Sequence, residues 1–148
     1  MRRSVVCASA LLIVAGCGTK QPRAVPYEDV TRQVGPLEFT RIYRSEYSAP
    51  APLLKLLHQM NPGREIRLPP IDWSRKEVFL VATGPRSSTG YVLQIEAVRD
   101  YGSRIDVVVH ERTPSLGDPV TARVTYPFRM IVLPRSDKPV KLKWPGRP

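Results

Sequence analysis

Apolar positions along this chain change their period near residue 70. Before that point the clearest pattern is helical. Leu53, Leu56, Leu57 and Met60 stand at i, i+3, i+4 and i+7, one face of a helix over residues 50–60. Asn61-Pro62-Gly63 supplies the stop. A helix of this length is marginal in isolation, so its leucines need a core to receive them. Residues 37–43 alternate imperfectly and predict a first strand.

After residue 70 the period falls to two. Residues 78–82 are apolar at every position, the pattern of a strand covered on both faces. Tyr91, Leu93, Ile95 and Ala97 alternate with Val92, Gln94, Glu96 and Val98. Further alternating runs cover residues 105–110, 120–126, 128–132 and 140–144. Turn clusters separate them: Gly84-Pro85, Asp100-Tyr101-Gly102, Gly117-Asp118-Pro119 and residues 134–139. Short, evenly spaced strands of this kind predict a mainly β fold. An antiparallel, immunoglobulin-like β-sandwich with one short helix is the expected form, an open barrel the alternative. Pro127 cannot donate to a ladder, so it marks a bend, a bulge or a change of sheet.

The N-terminus reads differently. Arg2 and Arg3 precede an apolar run over residues 5–14 that is too short to span a bilayer. Val14-Ala15-Gly16 then places small residues before Cys17. This resembles a lipobox, in which a signal peptide (1–16) is cleaved and the cysteine thiol carries the lipid. The expectation is a lipoprotein of the bacterial cell envelope, held to a membrane through Cys17 and its acyl chains, palmitate among them. Gly18 is not an aspartate retention signal, which favours the outer membrane. Residues 17–36 carry Pro22, Pro26 and Pro36 and no sustained apolar period, so they read as a flexible tether. The β-sandwich domain is assigned to 37–148.

Composition narrows the chemistry. Cleavage before Cys17 would remove Cys7 and leave 132 of the 148 residues, with one cysteine already committed to lipid. The mature chain then has no disulfide, and a domain of roughly 100 residues can hold its core without one. The formal charge of +10 falls to +8 once Arg2 and Arg3 are gone. That balance favours anionic neighbours such as headgroups, surface polymer or an acidic protein, and an exported chain excludes nucleic acid as the partner. The basic residues are scattered, which favours a solvated basic surface over a dedicated anion-binding one.

Catalytic chemistry finds little support. His58 and His110 are the only histidines, and neither stands in a catalytic motif. Asp106, His110 and Glu111 lack the further ligand that a metal site needs. No enzyme activity, metal or cofactor is therefore expected. The stretch from Gly84 to Tyr91 fails as a phosphate loop: five residues separate its glycines instead of four, and tyrosine stands where lysine is required. Two readings remain for it, a connection between strands or a binding loop. Arg86, Ser87, Ser88, Thr89, Gly90 and Tyr91 are the candidate binding residues. Arginine and tyrosine are enriched where interfaces concentrate their energy. Tyr91 shares its phase with Leu93 and Ile95, so core packing competes with contact. The stretch from Arg112 to Asp118 is the alternative surface.

Trp73, the run 77–83, Gly84 and Thr89-Gly90-Tyr91 resemble the PrcB C-terminal domain family. Thr113-Pro114, Gly117, Val120-Thr121 and Tyr126-Pro127-Phe128 continue the likeness, which extends over about 71–142. One turn departs from it: the family often has Thr-Gly-Gly-Tyr where this chain has Ser88-Thr89-Gly90-Tyr91. The resemblance implies a non-catalytic envelope protein that binds or accompanies another protein, a protease being the first candidate. A weaker likeness links Ser88-Thr89-Gly90-Tyr91 to one loop of chagasin-type protease inhibitors. The Asn-Pro pair and the other two inhibitory loops are missing here. An inhibitor, or a basic protein bound to anionic surface polymer, stands as the alternative.

Overall fold

The unbroken apolar run at 78–82 lies at the centre of the fold because both of its faces are covered. The structure, a computed structural model, describes residues 21–146. The expected export signal and Cys17 lie outside the described residues. Eight strands form two four-stranded sheets: β1 (Arg23–Ala24), β2 (Glu28–Asp29), β3 (Ile42–Tyr47), β4 (Lys76–Thr83), β5 (Val92–Asp100), β6 (Ile105–Arg112), β7 (Phe128–Pro134) and β8 (Val140–Lys143). One sheet runs β1-β5-β6-β8, the other β2-β7-β4-β3. Two helices join them, α1 (Thr31–Val34) and α2 (Pro50–Met60). The expected mainly β sandwich is borne out.

Alternation on β4 and β7 divides the core in two. Phe79, Val81, Ile131 and Leu133 point between the sheets, against Leu93, Val98, Ile105, Val107 and Val109. Val78, Leu80, Ala82, Phe128, Met130 and Val132 point the other way, against Leu53 and Leu57 of α2 and against Val30, Val34, Leu37 and Phe39. The result is three layers, with the second sheet in the middle. Helix α2 follows its sequence pattern, with Leu53 and Leu57 fully buried and Leu56 and Met60 half-buried. Asn61 closes it. Its side-chain amide donates to Leu57 O (3.2 Å), and its Oδ1 accepts the Glu38 N–H (2.8 Å).

Four expectations need correction. First, residues 21–36 are not a tether. β1 pairs with the edge of β5, β2 pairs with β7, and Val30 is 1% exposed. The Thr31 hydroxyl accepts the Met130 N–H at 2.9 Å. The segment shows no period because it steps from the edge of one sheet to the edge of the other. Its apolar residues dock singly, and two open edges are shortened in the process. Second, the strand expected at 37–43 forms over Ile42–Tyr47. Leu37 and Phe39 are buried as cover for the outer core, outside any strand.

Third, residues 120–126 form no strand, only an isolated bridge between Thr125 and Arg86. Fourth, the sandwich is not wholly antiparallel, because β8 runs parallel to β6. The chain leaves the second sheet after β7 and enters the first at the end where β6 begins, so β8 takes the direction of β6. A β-bulge at Glu96 also moves the phase of β5. Ile95 opposes Val109 and Ala97 opposes Val108, so Val98, not Ala97, returns to the core.

Glu77 is an acidic side chain drawn into the interior at the start of β4. It is 2% exposed, and its Oε1 has no hydrogen-bond partner. Burial pushes its carboxyl above the usual carboxylate range, and the charge of Glu46 adds to that. A backbone hydrogen bond from Ser136 and the charge of Arg135 pull the other way.

Candidate functional site

Two loops meet at the end of the sandwich where β4 stops and β7 begins. The first joins β4 to β5 and contains Arg86 to Tyr91; the second joins β6 to β7 and spans residues 113–127. Backbone bonds fasten one to the other. Arg86 and Thr125 exchange both of theirs, N–H to O at 2.8 and 2.9 Å. The Thr89 N–H donates to Thr121 O at 3.1 Å, and the Thr121 N–H donates to the Thr89 hydroxyl at 3.0 Å. The Thr125 hydroxyl donates to Ser88 O at 2.8 Å. Glycine is required twice in the first loop. Gly84 has φ +75°, and a Cβ there would lie 3.1 Å from the Arg41 backbone. A Cβ on Gly90 would lie 2.5 Å from both Pro114 Cβ and Val120 Cγ1.

Arg86 braces this unit. Its guanidinium makes a two-pronged pair with Glu111 on β6, through Nε to Oε1 and through NH2 to Oε2 at 3.0 Å. The side chains are only 15% and 7% exposed. The guanidinium carbon also lies 5.9 Å from the centre of the Tyr91 ring. The expected free contact arginine is thus spent on the fold. Ser88 is 8% exposed, Gly90 is buried, and Arg86, Thr89 and Tyr91 are half-buried. Among Arg86, Ser87, Ser88, Thr89, Gly90 and Tyr91, only Ser87 is exposed. Gly90, in the turn likened to a chagasin-type loop, packs against Pro114 and Val120.

The exposed surface belongs to the second loop. Ser115 and Asp118 close a tight turn: the Ser115 N–H donates to Asp118 Oδ2 at 2.9 Å, and the Asp118 N–H donates to Ser115 O at 3.1 Å. Arg112 adds an ion pair to Asp118 at 3.6 Å. At the apex stands Leu116, with a relative exposure of 108%. Val120 and Val124 follow, 42% and 61% exposed, and the nearby Arg123 is exposed as well. Behind the loop, a groove of about 310 Å³ is lined by Tyr91, Leu93, Arg123, Thr125, Phe128 and Arg129, among others. The surface is apolar at its tips and basic around them. Sequence reasoning missed Val120 and Val124 because their alternation reads as a strand. Pro119 and Pro127, which bracket the stretch, were the available signal that no ladder forms there.

This unit is also what relates the chain to known proteins. Residues 78–134 match the PrcB C-terminal family. The resemblance read from the sequence is borne out over that segment, which is narrower than the expected 71–142. The PrcB C-terminal match runs from β4 through β7 and holds both loops, Arg86, Glu111 and Leu116. It leaves out β1 to β3, α2 and β8. No curated protein and no solved structure matches the chain.

The remaining candidates are dispersed. His58 is exposed on α2, and His110 is exposed on β6. Among the described residues no group of three or more His, Cys, Asp and Glu side chains could hold a metal ion. No described helix is long and apolar enough to cross a membrane.

Proposed function

We propose that the chain is a non-catalytic envelope lipoprotein, anchored through Cys17, that serves as a binding or accessory subunit for another envelope protein, with a protease as the first candidate. The observation that carries this reading is Leu116. A leucine fully exposed at the apex of a turn held by two hydrogen bonds and an ion pair presents an apolar side chain for contact. Val120 and Val124 extend the apolar surface. The scaffold under it is rigid, so little ordering is lost on docking. Arg112 and Arg123 favour an acidic or carbonyl-rich partner surface. The unit lies wholly inside the PrcB C-terminal match, which supports an accessory role over an unrelated one. Outer-membrane placement follows from Gly18 and belongs to the same proposal.

Site-specific crosslinking tests it. A photo-crosslinking residue at Leu116, introduced into the full chain in its own cells, should join one discrete envelope protein. The same residue at exposed Arg67 should not. Leu116→Asp with Val124→Asp should abolish that product without unfolding the domain. Equal crosslinking from both positions would refute the reading. So would binding to anionic polymer that fades steeply with salt and ignores the Leu116 change.

A further inference from the structure

Strand register decides which end of the domain can approach a membrane. β1 is antiparallel to β5, with Arg23 opposite Asp100 and Ala24 opposite Arg99. Traced backwards, the chain therefore leaves the sandwich past Asp100, at the β5–β6 turn. Gln21 and Arg23 line a groove of about 190 Å³ there, with Asp100, Tyr101, Gly102 and Lys138. The paired loops sit at the other end of β5, where Val92 opposes Arg112. At about 3.3 Å per residue the two ends are about 25 Å apart. Cys17 precedes Gln21 by four residues. Four extended steps reach at most about 14 Å. A lipid on Cys17 would tether the chain beside the turn end and cannot itself reach the loop end.

The side chains at the turn end suit that position. Tyr101 is 40% exposed, with the Arg104 guanidinium 4.8 Å from its ring centre. A tyrosine with one apolar face and one polar tip fits the headgroup layer. Two of the acids there are already balanced, Asp100 by Lys138 and Asp106 by Arg104. Exposed Arg23, Arg99, Arg135 and Lys141 remain, with Arg75 of the adjoining entry to β4, against Asp137 and Asp72. Attraction to anionic lipid acts on charges within about 8 Å of the surface, the screening length at physiological salt.

We propose that the end of the sandwich formed by the β5–β6 turn and the β7–β8 connection rests on anionic phospholipid headgroups, so that the paired loops point away from the membrane. The proposal rests on the lipid anchor at Cys17. It adds a second, electrostatic contact that sets orientation, as lipid chains alone do not.

The full chain, purified with its lipid and reconstituted in phosphatidylcholine vesicles with or without phosphatidylglycerol, provides the test. A lipidated Cys17 leaves no free thiol, so Ser103→Cys and Leu116→Cys can each carry a single nitroxide. Collision with a water-soluble nickel chelate should fall several-fold at position 103 when phosphatidylglycerol is present, and stay unchanged at 116. Arg23→Glu with Lys141→Glu should restore the collisions at 103 while the melting temperature holds. Equal accessibility at 103 and 116 in protein that carries fatty acid would overturn the orientation alone. Protein without fatty acid, found in the soluble fraction, would overturn the anchor and the orientation together.

Discussion

Arg86→Ala separates a bracing arginine from a contact arginine. A contact residue at a loop tip would lose binding and leave stability nearly untouched. The structure places Arg86 instead in a two-pronged pair with a Glu111 side chain that is 7% exposed. Removing the guanidinium takes the two-pronged partner from a buried carboxylate, and breaking a buried pair in this way costs about 3–5 kcal/mol. Because the Arg86 side chain keeps 15% exposure, the lower end applies, about 3 kcal/mol. For a domain of this size that lowers the melting temperature by roughly 10–15 °C. Urea unfolding followed by circular dichroism gives the free energy directly. Arg86→Met with Glu111→Met removes both charges, and its cost should be well below the sum of the two single changes. An Arg86→Ala protein that unfolds within a degree or two of the parent would refute the bracing role and return Arg86 to the contact surface.

Four further outcomes follow from the same geometry. Leu93→Ala, at a position 1% exposed between the sheets, should cost about 2–5 kcal/mol in urea unfolding. Gly90→Ala drives a methyl group into Pro114 and Val120, so it should cost about 1–3 kcal/mol and raise the proteolysis rate of the second loop. Glu77 has a raised carboxyl pKa in the folded state. Its contribution is therefore complete below the usual value of 4.5 and is lost as pH rises through the folded value. Glu77→Gln should match the parent in acid and exceed it in stability at neutral pH, and identical pH profiles would contradict the burial argument. Cys17→Ser should leave an unprocessed precursor without fatty-acid label, whereas normal processing and labelling would end the lipoprotein reading.

Much of the fold was legible because local period reports local burial. Helix α2 shows four apolar residues on one face, and that face, widened by Leu54, found a core. The run at 78–82 is apolar throughout because β4 has a layer on each side. The expected lipobox and the net charge are likewise read from the chain alone, independent of its fold. Tertiary structure decided the rest, wherever meaning depends on a partner distant in sequence. Residues 21–36 have no period of their own, and they become structure only when the exposed edges of β5 and β7 offer hydrogen bonds. Glu96 looks like any outward residue until β6 fixes a register that leaves it unpaired. Val120 and Val124 alternate like core residues, yet the loop carrying them is fastened to residues 86–89 and turned towards solvent. Arg86 has the character of a contact residue in sequence, and Glu111, 25 positions away, claims its charge. Alternation records which side chains prefer to be dry. Which of them become dry is decided by long-range pairing, since a buried hydrogen bond or charge needs its partner at a fixed place.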